Sequence, residues 1–126
     1  MIRFINCIRK RPEISHQEFR DYWSSQQFRQ RMDRLVELLR PLSYARNLTL
    51  QTVGNDRINA ILGNIEEPFD AIIEYWWDSA AEFYGRLDTP EVIALFGKIL
   101  TEDAVYFDSR YSNGFFTEGH RSEFDY

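Results

Sequence analysis

Two periods of apolar residues alternate along this chain. In MIRFINCIRK, Phe4, Asn6 and Ile8 fall on one side and Arg3, Ile5, Cys7 and Arg9 on the other, the two-residue repeat of a β-strand. A turn at Pro12 follows. Ser15 and Glu18 then stand at the Ser-x-x-Glu spacing in which each side chain satisfies a free backbone N–H of a first helical turn. Phe19, Trp23, Phe28, Met32, Leu35 and Leu39 recur close to three- and four-residue spacing, and Pro41 stops the run, so one long helix is predicted from about residue 16 to Arg40. Inside it, the small or amide side chains Ser24 to Gln27 interrupt the apolar rhythm directly after three aromatics.

The stretch SYARNLTLQTV predicts a second strand closed by Gly54, Asn55 and Asp56, and residues 54–68 read as a loop with at most one helical turn around INAIL. FDAIIEYWWD is the strongest strand signal: Phe69, Ala71, Ile73, Tyr75 and Trp77 share one face, and Asp70, Ile72, Glu74, Trp76 and Asp78 share the other. A short helix is predicted from Ser79, and another from Thr89 and Pro90 with Val92, Leu95, Phe96, Ile99 and Leu100 as its stripe. AVYFDSRY predicts the fourth strand, followed by a Gly-containing tail. The order βαββαβ is that of a ferredoxin-like α+β fold, a four-stranded antiparallel sheet with helices on one face. If the face away from the helices is the one carrying Ile72 and Trp76, it is too apolar for water, which predicts a homodimer joined through its sheet faces as a barrel.

The 126 residues fit one domain, 1–126, with 118–126 as a C-terminal tail. No apolar run approaches membrane-spanning length and no export signal opens the chain, so a cytoplasmic setting and no membrane partner are expected. The single Cys7 has no partner for a disulfide or zinc site and reads as a small buried hydrophobe. The net charge of -5 hides an asymmetry: residues 1–57 carry 11 Lys and Arg against 6 Asp and Glu, and residues 58–126 carry 4 against 14. Such halves complement each other within a fold or across a dimer, while the acidic whole disfavours nucleic acid. An RNA-binding domain of the same strand order needs a basic-Gly-aromatic motif on its third strand, and FDAIIEYWWD lacks it.

Glu74, mid-strand between Ile72 and Trp76, must be paired, hydrogen-bonded or neutralised there. It is either a proton-transfer group or half of a salt bridge to an Arg such as Arg3, Arg9 or Arg46. Tyr44 offers a phenol to a carbonyl or phenolic substrate, or a core hydroxyl bonded to backbone. Trp23 and Trp76 suit an apolar pocket wall or the core. His16 lies beside the helix cap, and His120 lies in the tail near Glu118, Glu123 and Asp125 at no metal-ligand spacing. No metal and no cofactor are expected, and no phosphate loop, GxSxG elbow or CxxC pair occurs.

EISHQEFRDYW after IRKRP, LSYARN, FDAIIEYWWDS, and EDAVYFD followed by FFTEG together resemble the EthD family of the dimeric α+β barrel superfamily, across nearly the whole chain. The resemblance implies a site in the cleft between sheet and helices or inside the barrel, and a small catabolic or biosynthetic protein. Members usually carry His four residues after the Trp of the Tyr-Trp pair, where this chain has Gln27, and often His after the Asn of the second strand, where Leu48 follows Asn47. Gln cannot exchange a proton near neutral pH. The expectation is therefore an enzyme on a small apolar or aromatic compound: a lyase, isomerase, cyclase or cofactor-free oxygenase. Glu74 would be its acid/base, Gln27 and Tyr44 its positioning groups, and Trp23, Trp76 and Asn47 its substrate contacts. The alternative is a non-catalytic ligand-binding or accessory protein on the same barrel.

Overall fold

The computed structural model describes residues 1–126. Its order is β1 (Ile2–Ile8), α1 (His16–Trp23), α2 (Gln26–Leu39), β2 (Ser43–Leu48), α3 (Val53–Leu62), β3 (Ala71–Trp77), α4 (Ala80–Leu87), α5 (Pro90–Glu102) and β4 (Asn113–Glu118). The strands form one antiparallel sheet in the order β2-β3-β1-β4, the ferredoxin-like arrangement. None of the helices is long and apolar enough to cross a membrane.

The predicted long helix is two helices, and the polar step at Ser24–Gln27 is where they part. Ser24 closes α1 by donating its N–H to the Arg20 carbonyl, and Ser25, in extended backbone, accepts from Phe28 N–H at 3.2 Å and opens α2. In an unbroken helix Trp23 and Phe28 would point about 140° apart, at about 100° per residue. The break lets both reach the core with ring centroids 4.9 Å apart. The Ser15–Glu18 capping box forms as predicted.

Ala71, Ile73, Tyr75 and Trp77 of β3 are buried beneath Phe19, Phe28, Met32, Leu35, Phe83 and Val92 of the helices. Trp77 Nε1 donates to the Leu39 carbonyl at 3.0 Å, so burying the indole leaves no unpaired donor. On the other sheet face, Arg3 lies over the Trp76 ring at 4.4 Å and reaches Glu74 Oε1 at 3.3 Å. Gly119 makes room for that indole, since a Cβ there would meet it at 2.7 Å.

Three further expectations give way. Residues 53–62 form a complete helix, α3, capped by Thr52 and ended by Gly63 at φ 76°; it buries no residue, so no apolar stripe announced it. The fourth strand is NGFFTE rather than AVYFDSRY, and the second strand ends at Leu48. Residues 103–111 run as turns closed on main-chain carbonyls, Tyr106 N–H donating to that of Asp103 and Tyr111 N–H and Ser112 Oγ to that of Asp108, while both Asp side chains are buried. One bridge, Lys10 to Phe107, is all that joins this stretch to the strand system. β4 then pairs with β1 through Gly114, whose missing Cβ would stand 3.0 Å from Phe4.

Asp103 ties α2 to the end of α5. It has no exposed surface, accepts from Gln27 Nε2 at 3.0 Å, and has Arg31 Nε 2.9 Å from Oδ2 as an ion pair off the hydrogen-bond angle. Arg31 also holds Glu102 at 2.6 Å, which raises the guanidinium and lowers the carboxyl from its ordinary 4.5. Arg31→Met should destabilise the fold by about 3 kcal/mol in urea unfolding, because it strands a buried carboxylate, and Arg31→Met with Asp103→Leu should recover most of the loss. A single-variant loss well under 1 kcal/mol would show that the pair is dispensable. Glu102 titrates below its ordinary value in the native state, so its contribution is complete above pH 4.5 and is lost as pH falls through the lowered value. Glu102→Gln should therefore flatten this acid limb of stability, read as urea midpoint against pH.

Candidate active-site cleft

A cavity of about 400 Å³ opens between the helix-facing side of the sheet, α2, α5 and the 104–112 turns. Its floor is Phe4, Asn6, Ile8, Ile73 and Tyr75, placed there by the two-residue repeat of β1 and β3. Phe28, Met32 and Leu35 of α2 and Phe96, Ile99 and Leu100 of α5 form its walls, one helical stripe each. Polar groups gather at one end: Asn6 from the floor, Arg11 from the turn after β1, and Ser109 and Ser112 from the segment before β4. Arg3 is the one β1 residue whose side chain hydrogen-bonds within the protein, so the Asn6 carboxamide has no hydrogen-bond partner there. Ser112 is committed, accepting from Arg9 N–H at 3.0 Å and donating to the Asp108 carbonyl at 2.8 Å.

The structure divides the residues expected to form a site into three places, none of them among the cavity's lining residues. Glu74, Trp76 and Asn47 share the open face of the sheet, because Asn47 stands opposite Ile72 in the β2–β3 register. Glu74 is in the Arg3 salt bridge there, and Asn47 is exposed with Nδ2 3.4 Å from the Ile72 carbonyl. Trp23 and Tyr44 lie on the helix side but within the packing: Trp23 is buried against Phe28, and the Tyr44 ring sits 5.2 Å from that of Tyr75, a cavity residue. Gln27 is exposed at the start of α2 and spends its amide on Asp103.

Burial, opposed by Arg46 and reinforced by Asp33, pushes the Tyr44 phenol up to about 12. Burial likewise raises Tyr75, a cavity-floor residue, and Tyr22, where Asp103 adds to the effect. These phenols stay protonated at neutral pH and can donate but not act as bases. The buried Cys7 thiol is also raised and lies on the open face, away from the cavity. Among the cavity residues, Asn6 carried a signal in the sequence: a lone amide between Phe4 and Ile8 on an apolar face. Arg11 and Ser109 carried none, since nearly one hundred positions of chain separate them.

Solved structures with this fold match over almost the full chain. They include an EthD family protein from Bacillus halodurans (13% identity, TM-score 0.60, covering 95% of this chain and 99% of that one). A dimeric protein of unknown function with a ferredoxin-like fold from Bacteroides fragilis is also similar (16%, 0.58, 94% and 95%). So is a proposed antibiotic biosynthesis monooxygenase from Deinococcus radiodurans (14%, 0.56, 100% and 99%). At these identities the likeness speaks for the fold. No curated protein matches the chain. The family model of the EthD domain matches residues 11–108, from the turn that carries Arg11 through α5 to the turns beyond it, and the protein therefore belongs to the EthD family.

Proposed function

We propose that this protein takes a small apolar or aromatic molecule into the cleft between sheet, α2 and α5, with Asn6 donating to a carbonyl or phenolic oxygen of that molecule. The cavity carries the reading: about 400 Å³, with 12 of its 18 lining residues hydrophobic and its polar groups at one end. That is the usual construction of a small-molecule site. The EthD membership is compatible with a small-molecule role, and the reaction classes that suit such a cleft are those expected above: lyase, isomerase, cyclase or cofactor-free oxygenase. The lining holds no Asp, Glu or His, so a reaction whose substrate supplies its own ionisable group asks least of it. A cofactor-free oxygenase meets that condition, since an electron-rich substrate anion can pass its electron to dioxygen directly, and the monooxygenase-like fold relative fits the same reading.

The same lining supports a second reading, a non-catalytic carrier of such a molecule. Incubation of an electron-rich naphthol with the protein in air separates the two: oxygen-dependent product with turnover marks the enzyme, and stoichiometric retention without product marks the carrier.

In this reading Glu74, Trp76 and Asn47 belong to the homodimer rather than to the cleft. The open sheet face carries Ile5, Ile72, Trp76 and Phe115, and Phe115 alone is 42% exposed, which is surface suited to a second copy of the sheet. The Bacteroides fragilis relative is described as dimeric.

Asn6→Leu should weaken binding of 2-acetonaphthone about fivefold to tenfold, the size of one lost hydrogen bond, without weakening naphthalene. Unchanged affinity for the ketone would remove Asn6 from the site. Native mass spectrometry should show dimers for the natural protein and monomers for Trp76→Glu, whose carboxylate a sheet-to-sheet contact would have to bury unpaired. A natural protein that is monomeric at micromolar concentration would end the barrel reading.

A further inference from the structure

Arg11 is the one charged residue that lines the cleft, and most of its donors are unspent. Its backbone is fixed on both sides: the N–H donates to the Tyr106 carbonyl at 3.0 Å, and its carbonyl accepts from Ile14 N–H at 3.3 Å and approaches Lys10 Nζ at 3.5 Å. The Lys10–Phe107 bridge holds the same turn against another cavity residue. On the side chain, Nε alone is engaged, 3.3 Å from Glu13 Oε2 on the solvent side, where Glu13 is 65% exposed. Neither Nη group makes a hydrogen bond, and no carboxylate lines the cavity itself.

A planar fork of N–H donors at the mouth of an apolar cavity matches a carboxylate in charge and in geometry, because two parallel N–H groups meet two coplanar oxygens. From this we infer that the cleft's ligand is an aromatic or apolar monocarboxylate, its ring system on the floor of Phe4 and Tyr75 and its carboxylate on the Arg11 guanidinium. The inference rests on the proposed small-molecule cleft and adds the charge of the ligand. It runs against the protein's overall charge of -5, which repels anions in general, so a preference for anions has to arise locally.

The test is calorimetric binding of three matched pairs: benzoate and benzamide, 2-naphthoate and 2-naphthamide, anthracene-2-carboxylate and its amide. For the best-fitting ring, the carboxylate should bind about tenfold tighter than the amide, and the ratio should hold from pH 6 to 8 where the acid stays ionised. Arg11→Gln should bring that ratio close to one, while Glu13→Gln, which frees Nε, should preserve or increase it. Equal affinities for acid and amide, or a preference that survives Arg11→Gln, would overturn the inference and leave the cleft standing. Binding of neither member of any pair would overturn the inference together with the cleft on which it rests. Unchanged thermal unfolding of Arg11→Gln, whose side chain is 36% exposed, shows that a changed ratio is not a folding defect.

Discussion

A carboxylate with no exposed surface has to be met by donors, and Asp103 at the end of α5 is met by two residues of α2, Gln27 and Arg31. The rest of the cleft depends on that requirement. The two helices form opposite walls of the cavity, and the turns after Asp103 carry Ala104, Phe107, Ser109 and Ser112 to its polar end. Ordinary apolar packing would draw α2 and α5 together until the space closed, since voids forfeit dispersion contacts. The Asp103 link fixes one end of the helix pair, and beside it Tyr22 of α1 stacks on Tyr106 of the turns at 3.8 Å.

The sheet divides the molecule chemically as well as mechanically. Its helix side holds the large aromatics, a single free amide at Asn6, and phenols kept protonated by burial. On its open side is the one ion pair within the sheet, Arg3 with Glu74, over which Trp76 is folded. A partly buried ion pair gains little net stability, because desolvating the charges offsets their attraction. Its geometric effect is plainer. The pair keeps Arg3 and Glu74 flat against their strands, leaving Ile5, Ile72, Trp76 and Phe115 as a surface that a second sheet can meet.

The cleft differs from an acid/base site in what it can supply. Amide, hydroxyl and guanidinium donors stabilise a negative oxygen wherever it develops, without exchanging protons themselves. Groups of this kind can orient a molecule and offset its charge, but none of them takes up or releases a proton near neutral pH. The Gln at position 27 is a group of the same kind. Its amide is bonded to the buried carboxylate of Asp103.

Much of the architecture is written in short-range pattern. The alternation of FDAIIEYWWD, the Ser15–Glu18 box and the Thr89–Pro90 start depend on neighbours within about four residues, so element order, the apolar face of each element and the ferredoxin-like arrangement could be read from the chain alone. The double Ser at 24 and 25 was visible, but its meaning as a second helix start needed the packing of Trp23 against Phe28. The position of β4 needed the turns closed on the Asp103 and Asp108 carbonyls, which occupy a strand-like stretch. Above all, both faces of the sheet carry aromatic and polar residues in alternation, so local sequence could place Glu74 beside Trp76 but not on the roofed or the open side. Only the helices' choice of face decides where the cavity lies, and that choice brings Arg11 to Ser109 through contacts between residues far apart in the chain, which no local period encodes.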